Sequence, residues 1–394
     1  MTVLGKSAIL LSNFLVVVLT AQLWGAEGRG NVAMFMADIG LLAIVSNVFT
    51  GSSVSYYLNK VAERRLFLMA LSWVSVLSLI GAFLFHLFEQ EDFSLLFFVI
   101  SFVLGVYSFY NSVYIGDQRI GLYNALTVLQ PVLALVLMLL VYWTVDDSCR
   151  AYFIGYALSA SVLAIYSFVK ENGKEKWERF TKEEFFQSLK FGFQTQLSDF
   201  LQFFNARLSY YFLAYYVGNA SVGVFSICVS LSEAMLVVGR SISMVQYSRL
   251  LEQNTDKEEA RKGTNQVLKL CFFVTSGVLV VVNCLPAQLY VWVFGPEFES
   301  VKMLLLCLSP GILLGSLADI IGHYFSAMGQ LRVLVVKSLV GVFVTTALSM
   351  IIISKWQIEG AVIVNLTANV VTSLVLFLSY RKDNFENIKL WQSK

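Results

Sequence analysis

Two arginines stand where so apolar a chain has least use for charge. Arg207 lies inside "FFNARLSYYF", residues 203–212, and Arg240 inside "VVGRSIS", residues 237–243. A charge at the centre of a bilayer-spanning helix costs roughly 2.5–3.5 kcal/mol on insertion scales, so it turns to protein or to a water-filled cavity. In such a cavity a guanidinium presents a planar fork of donors that matches phosphate oxygens two at a time, and it stays charged when partly dehydrated. Arg207 and Arg240 are therefore candidates for holding a phosphate-bearing ligand. Gln202, Asn205 and Tyr210 flank Arg207 and offer the amide and aromatic partners that sugars take, with Tyr211 beside them. The competing reading makes Arg207 half of a buried ion pair with Asp199 or Glu233, and lets Arg240 snorkel to the nearer membrane surface.

Acids form the second set: Asp38, Asp199, Glu233 and Asp319, with His323 four residues after Asp319. That spacing puts Asp319 and His323 on one helical face, where a buried carboxyl and an imidazole could pass a proton and couple transport to an ion gradient. A satisfied structural pair explains the same spacing. Asn13, Gln22, Gln194, Gln196 and Gln246 punctuate other apolar runs, and helix–helix hydrogen bonds account for them as well as a sugar site does. No cofactor is expected. The histidines are His86 and His323, no metal-ligand spacing occurs, and no GxxxxGK[ST] loop is present to bind ATP. No basic stripe suggests nucleic acid, and nothing points to an enzyme.

The elements that carry these residues follow from composition. Of 394 residues, 57% are hydrophobic and only 14% charged, about half the charge of a soluble domain. Runs of about 20 apolar residues, the length a bilayer demands, recur from end to end. The fold class is an all-α polytopic membrane protein with about twelve transmembrane helices. They are expected near 7–24, 31–58, 66–87, 94–115, 121–144 and 151–169, then 188–217, 221–247, 266–292, 300–327, 333–354 and 358–380. The first run follows Lys6 without a cleavage signature and reads as a span. Cys228, Cys271, Cys284 and Cys307 lie in or beside spans and Cys149 in a loop, so no disulfide framework is indicated. Pro131 and Pro310 fall inside spans and are expected to bend them. The polar stretch "KENGKEKWERFTKEE" within 170–187 separates an N-terminal bundle, 1–169, from a C-terminal one, 188–380, with a tail over 381–394. Lysines and arginines concentrate in loops on one side; Arg29, Arg150, Lys302 and Lys355 are the exceptions. By the positive-inside rule both termini are cytoplasmic.

The two halves repeat. "WGAEGRG" holds Gly25 and Gly30, and "VGNASVG" holds Gly218 and Gly223, at equal spacing. "GSSVS" at 51–55 answers "GRSIS" at 239–243, and "GDQR" at 116–119 answers "GQLR" at 329–332. Same-sense repeats imply two six-helix bundles related by an axis along the membrane normal, with a cleft between them.

These turns, with the "FGPEF" turn at 294–298, Ala327, Gly329 and Arg332, Ile358 to Ala361 and the "LKFGFQTQLSDF" entry to the seventh span, carry a resemblance. The chain resembles the polysaccharide transporters and oligosaccharide flippases of the multidrug/oligosaccharidyl-lipid/polysaccharide exporter superfamily, over nearly its whole length. The resemblance implies alternating-access transport of polyprenyl-diphosphate-linked oligosaccharide repeat units across the bacterial inner membrane, for O-antigen, capsule or exopolysaccharide synthesis. It also implies partnership with a polysaccharide polymerase and glycosyltransferases. Members that flip the peptidoglycan precursor generally carry two further helices and several arginines in their first two spans, which are absent here. Many relatives carry an acid near this chain's "NARLS". A cation-coupled drug exporter of the same superfamily and a non-transporting scaffold of a glycan-assembly complex are the rival readings.

Overall fold

The computed structural model describes residues 3–88, 93–171, 180–252 and 257–392; residues 172–179 of the polar stretch lie outside them. Among the described residues the regular elements are all helical. They run α1 (Val3–Thr50), α2 (Ser52–Tyr57), α3 (Glu63–Phe88), α4 (Ser94–Gly116), α5 (Ile120–Thr144), α6 (Arg150–Glu171) and α7 (Lys182–Tyr216). Then come α8 (Asn219–Glu252), α9 (Lys257–Cys284), α10 (Ala287–Phe294), α11 (Val301–Ala327), α12 (Leu331–Leu348) and α13 (Ser354–Gln392). A π-helical stretch, Ser349–Ile353, joins the last two, and α5 and α11 continue through Pro131 and Pro310.

Nine segments among the described residues are long and apolar enough to cross a membrane. Two of them, Ser7–Tyr57 and Leu331–Asp383, have 51 and 53 residues, far more than the ~20 that span a bilayer. Each is broken at one left-handed residue, Gly25 at φ 64° and Gln357 at φ 47°, so each holds two helices. The seventh expected span, 188–217, behaves differently. It lies in α7, which is helical but is not among the nine, because Gln194, Gln196, Asp199, Gln202, Asn205 and Arg207 lower its hydropathy. A helix this polar enters a bilayer only with its polar groups turned to protein or water.

The surface has the polarity of a protein dissolved in hydrocarbon. Leu79, Phe83, Val136, Leu140, Val281 and Phe343 are more than half exposed, while Ser78, Ser159, Ser226, Ser243 and Ser316 are buried. Small hydroxyl residues let helices approach closely, and Ser159, Ser226 and Ser243 donate to carbonyls of the preceding turn, whereas large apolar side chains meet lipid without penalty.

By contacts the chain divides into two units, Met1–Trp24 with Asn31–Phe200, and Gly25–Gly30 with Leu201–Lys394. The first is organised around Phe35, which stacks on Phe153 at 4.0 Å and meets Phe85 and Phe97 edge-on at 5.6 and 5.7 Å. Gly192 of α7 crosses α1 so tightly that a Cβ would stand 1.9 Å from the Val48 carbonyl oxygen. α7 starts earlier than expected, at Lys182, because Thr181 and Glu184 form a reciprocal capping box. The Thr181 amide donates to Glu184 Oε2 at 2.7 Å, and the Glu184 amide donates to Thr181 Oγ1 at 3.2 Å. The Thr181 bonds, joined by Arg65 at 3.0 Å, hold the Glu184 carboxyl below the usual carboxylate range.

In the second unit α11 is the central helix, packed on α8, α9 and α13. One end closes over Tyr324, Phe325, Leu376 and Tyr380; α13 runs on to Gln392, through most of the expected tail. Elsewhere the two glycine turns interlock. Gly25 and Gly218 both take positive φ, 64° and 113°. A Cβ on Gly30 would stand 1.8 Å from the Asn219 carbonyl oxygen, and one on Gly223 would stand 1.9 Å from that of Ala26. Each motif thus breaks its helix at the first glycine and packs its second glycine on the residue after the other motif's break. Glu297 of the "FGPEF" turn adds a cap, accepting the Ala26 amide at 2.6 Å. Arg29, expected in an exposed loop, is instead 7% exposed and donates from Nε to Ser226 Oγ at 3.1 Å. The loop it was assigned to shrinks to Gly25 alone, so Arg29 already lies on helix.

Candidate functional site

Inside the second unit, five helices enclose a cavity of about 170 Å³ lined largely by polar side chains. Helical periodicity explains the gathering. Gln202 and Asn205 share a face of α7; Ser232, Glu233 and Arg240 share one of α8; Gly311, Gly315 and Asp319 share one of α11. α12 contributes Lys337 and Ser338. α13 contributes a polar stripe, Asn365, Asn369 and Thr372, in its largely apolar stretch 361–378. The two glycines on α11 leave the space that larger residues would fill.

Charge decides what the cavity can hold. Arg207 Nη2 meets Glu233 Oε1 at 3.0 Å, and its Nη1 donates to the Tyr210 hydroxyl at 3.2 Å. Its guanidinium carbon also sits 5.2 Å from the Tyr210 ring centroid. Arg240 Nε meets Asp319 Oδ2 at a longer 3.4 Å, with Arg240 half exposed. Lys337 has no carboxylate partner among the described residues. Arg207, Arg240 and Lys337 thus stand against Glu233 and Asp319, and the unbalanced charge is a cation. An ammonium facing a polar cavity in an apolar bundle calls for an anion, and Arg240, which lines the same cavity and is held by a longer bridge, can turn to share one. The amides add neutral donors and acceptors. Asn205 donates to the Ser338 carbonyl at 3.0 Å while its buried Oδ1 has no partner, and Asn369 donates to Asn365 Oδ1 at 2.9 Å.

Of the residues singled out in the sequence, Gln202, Asn205, Glu233, Arg240 and Asp319 come together here. Arg207 does not line the cavity; the ion-pair alternative is realised, and Arg207 fixes Glu233 from behind. Tyr210 is 3% exposed, its ring edge-on to Phe225 at 5.7 Å and covered by Arg207, so no face is open for a sugar to stack on. His323 does not bond Asp319, which faces Arg240; the imidazole lies 5.4 Å from the Tyr247 ring instead. Arg240 does not snorkel away from protein but bridges to α11. Asp38, half-buried between the core residues Phe35 and Ile39 on α1, and Asp199, exposed on α7, both belong to the first unit. Lys337, Asn365 and Asn369 were missed. The sequence signal was there for the asparagines, as a four-residue polar spacing within "NLTANVVTS".

The Arg207–Glu233 pair yields a stability prediction. Arg207→Ala leaves Glu233 without its cation and is expected to lower stability by about 1–3 kcal/mol. Arg207→Ala with Glu233→Ala is expected to recover most of that, read as a double-mutant cycle of detergent-solubilised unfolding. Additive losses would mean that the two groups are not coupled.

Helix order, an apolar exterior and a charged interior cavity define a multi-pass membrane protein, and its fold recurs in solved structures. It is similar to the structure of the lipid II flippase MurJ in an inward closed conformation, with TM-score 0.82 at 14% identity over 96% of this chain and 88% of that one. It is also similar to an inward-facing multidrug resistance MATE family transporter, with TM-score 0.72 at 16% identity over 97% and 95%. A third similarity is to a mutant of the Vibrio cholerae MATE transporter VcmN, with TM-score 0.63 at 16% identity over 95% and 93%. At such identities the likeness is one of fold. A comparison with curated proteins finds no match. The chain belongs to the polysaccharide biosynthesis protein family, whose model matches residues 1–247.

Proposed function

We propose that this protein is a flippase that carries polyprenyl-diphosphate-linked oligosaccharide repeat units across the bacterial inner membrane, for O-antigen, capsule or exopolysaccharide synthesis. The observation that carries the reading is Lys337, without a carboxylate partner among the described residues, on the same polar cavity as Arg240 in a chain from a polysaccharide biosynthesis family. Lys337 and Arg240 hold the diphosphate, since two cations on different helices can take its two phosphoryl groups. Gln202, Asn205, Asn365 and Asn369 take sugar hydroxyls, and the polyprenyl tail stays in the bilayer. Arg207 and Tyr210 act as positioning residues that fix Glu233. The chain crosses the membrane twelve times, counting two crossings in each of the two double-length segments and one in α7. The crossings form two six-helix bundles, 1–169 and 188–380, around a central cleft, with both termini cytoplasmic, and the bundles rock to alternate access. No nucleotide site is needed, because an ion gradient or the membrane potential drives the cycle. Glu233 and Asp319 in the cavity, Asp38 and Asp199 in the first unit, and His323 are the coupling candidates. A polymerase and glycosyltransferases are the expected partners.

Deleting the gene and analysing extracted lipids by mass spectrometry tests this. The expected result is accumulation of one complete polyprenyl-diphosphate repeat unit with loss of surface polymer. The likeness to MATE transporters and the acids in the cavity favour a second reading, a cation-coupled exporter. Unchanged lipids together with sensitivity to cationic dyes would select it and overturn the first.

A further inference from the structure

A second cavity lies apart from the transport site, in the crotch between the end of α8 and the start of α9. It measures about 620 Å³ and changes character along its length. Part of its lining, away from the helix ends, is apolar, with Val245 and Leu270 both more than half exposed; its rim carries Arg249, Lys262 and Glu259. Gly263 has nothing within 4 Å of where a Cβ would stand, which keeps the crotch open. Both helices are apolar enough to span a membrane, and the rim sits at the ends where they leave it. The gradient from charged rim to apolar wall is that of a glycerophospholipid, headgroup outward and chains inward.

Two observations select the headgroup. Lys262 is already bridged to Glu258 at 2.9 Å. Arg249 and Glu259 have no such partner among the described residues, so the rim offers one cation and one anion. One helical turn from Arg249, Gln246 is 5% exposed. Its Nε2 donates to Thr264 Oγ1 at 2.6 Å, but its buried Oε1 has no donor. A buried acceptor without a donor is costly unless something brings one. An anionic headgroup would satisfy Arg249 and be repelled by Glu259, whereas a quaternary ammonium has no N–H to give Gln246.

We propose that the α8–α9 crotch is a binding site for a zwitterionic phospholipid carrying a primary ammonium, with its phosphate on Arg249 and its ammonium shared by Gln246 Oε1 and Glu259. The site is independent of the transport reading, because none of its residues lines the cavity of the five helices.

The test is native mass spectrometry of the full-length protein released from nanodiscs of phosphatidylethanolamine, phosphatidylcholine or phosphatidylglycerol. One retained phosphatidylethanolamine per protein is expected, at least tenfold more than phosphatidylcholine. Arg249→Gln, an exposed change that leaves packing intact, is expected to remove it, as is Gln246→Leu. Equal retention of phosphatidylcholine, preferential retention of phosphatidylglycerol, or retention undiminished in Arg249→Gln would each overturn the proposal.

Discussion

Lys337→Ala is expected to lower transport about ten- to hundredfold with normal amounts of folded protein in the membrane. The range follows from one charge-assisted contact, worth about 1.5–3 kcal/mol, lost from the bound anion. Lys337 bridges no carboxylate among the described residues, so removing it strands none of them. Lys337→Arg is expected to retain much of the activity and Lys337→Glu almost none, because reversal turns the cavity's excess charge negative. Arg240→Ala should fall between, since it also frees Asp319 from its 3.4 Å bridge. The measurement is surface polymer and accumulated lipid-linked oligosaccharide in cells complemented with each variant at matched expression. Full activity in Lys337→Glu would remove the anion from this cavity.

Gly30→Val is expected to leave little folded protein. At Gly30 the new Cβ would meet the Asn219 carbonyl oxygen at 1.8 Å, a backbone atom that cannot rotate aside. Overpacking costs about 1–3 kcal/mol where side chains can give, and more where two backbones must part. Gly223→Val pushes on the Ala26 carbonyl from the reciprocal contact and should behave alike. Glu297→Ala, which removes only the cap on Ala26, is expected to be milder, about 0.5–2 kcal/mol. Size-exclusion profiles of detergent extracts after graded heating distinguish the three. Wild-type profiles for both valine variants would show that the helices at these glycines can separate freely.

Much of this was legible in the sequence, for identifiable reasons. Membrane class, most helix positions and the odd charges stand out because lipid demands long apolar runs, and anything polar within them needs a reason. The paired glycine turns were legible as repeats, because a positive φ and a backbone contact both exclude side chains. Lys337 was not. It lies five residues after Arg332, near the start of the expected span 333–354, and reads with the basic turn that precedes it. Only the start of α12 at Leu331 carries it far enough along the helix to reach the cavity. Glu297 could not be paired with Ala26, 271 residues away, since a cap supplied from elsewhere leaves no local pattern. Tyr210 misled for a related reason. Aromatic residues next to an arginine suggest a sugar platform, but a ring that solvates a buried guanidinium has no face left to offer.

The central claim is that the cavity of the second unit binds a diphosphate through Lys337 and Arg240. Its most direct test is binding of farnesyl diphosphate to the purified full-length protein, followed by native mass spectrometry, with farnesyl monophosphate as the control. The account predicts a one-to-one diphosphate adduct, at least tenfold favoured over the monophosphate and lost in Lys337→Ala and Arg240→Ala. An adduct of equal strength in those variants, or no preference for the second phosphoryl group, would contradict it.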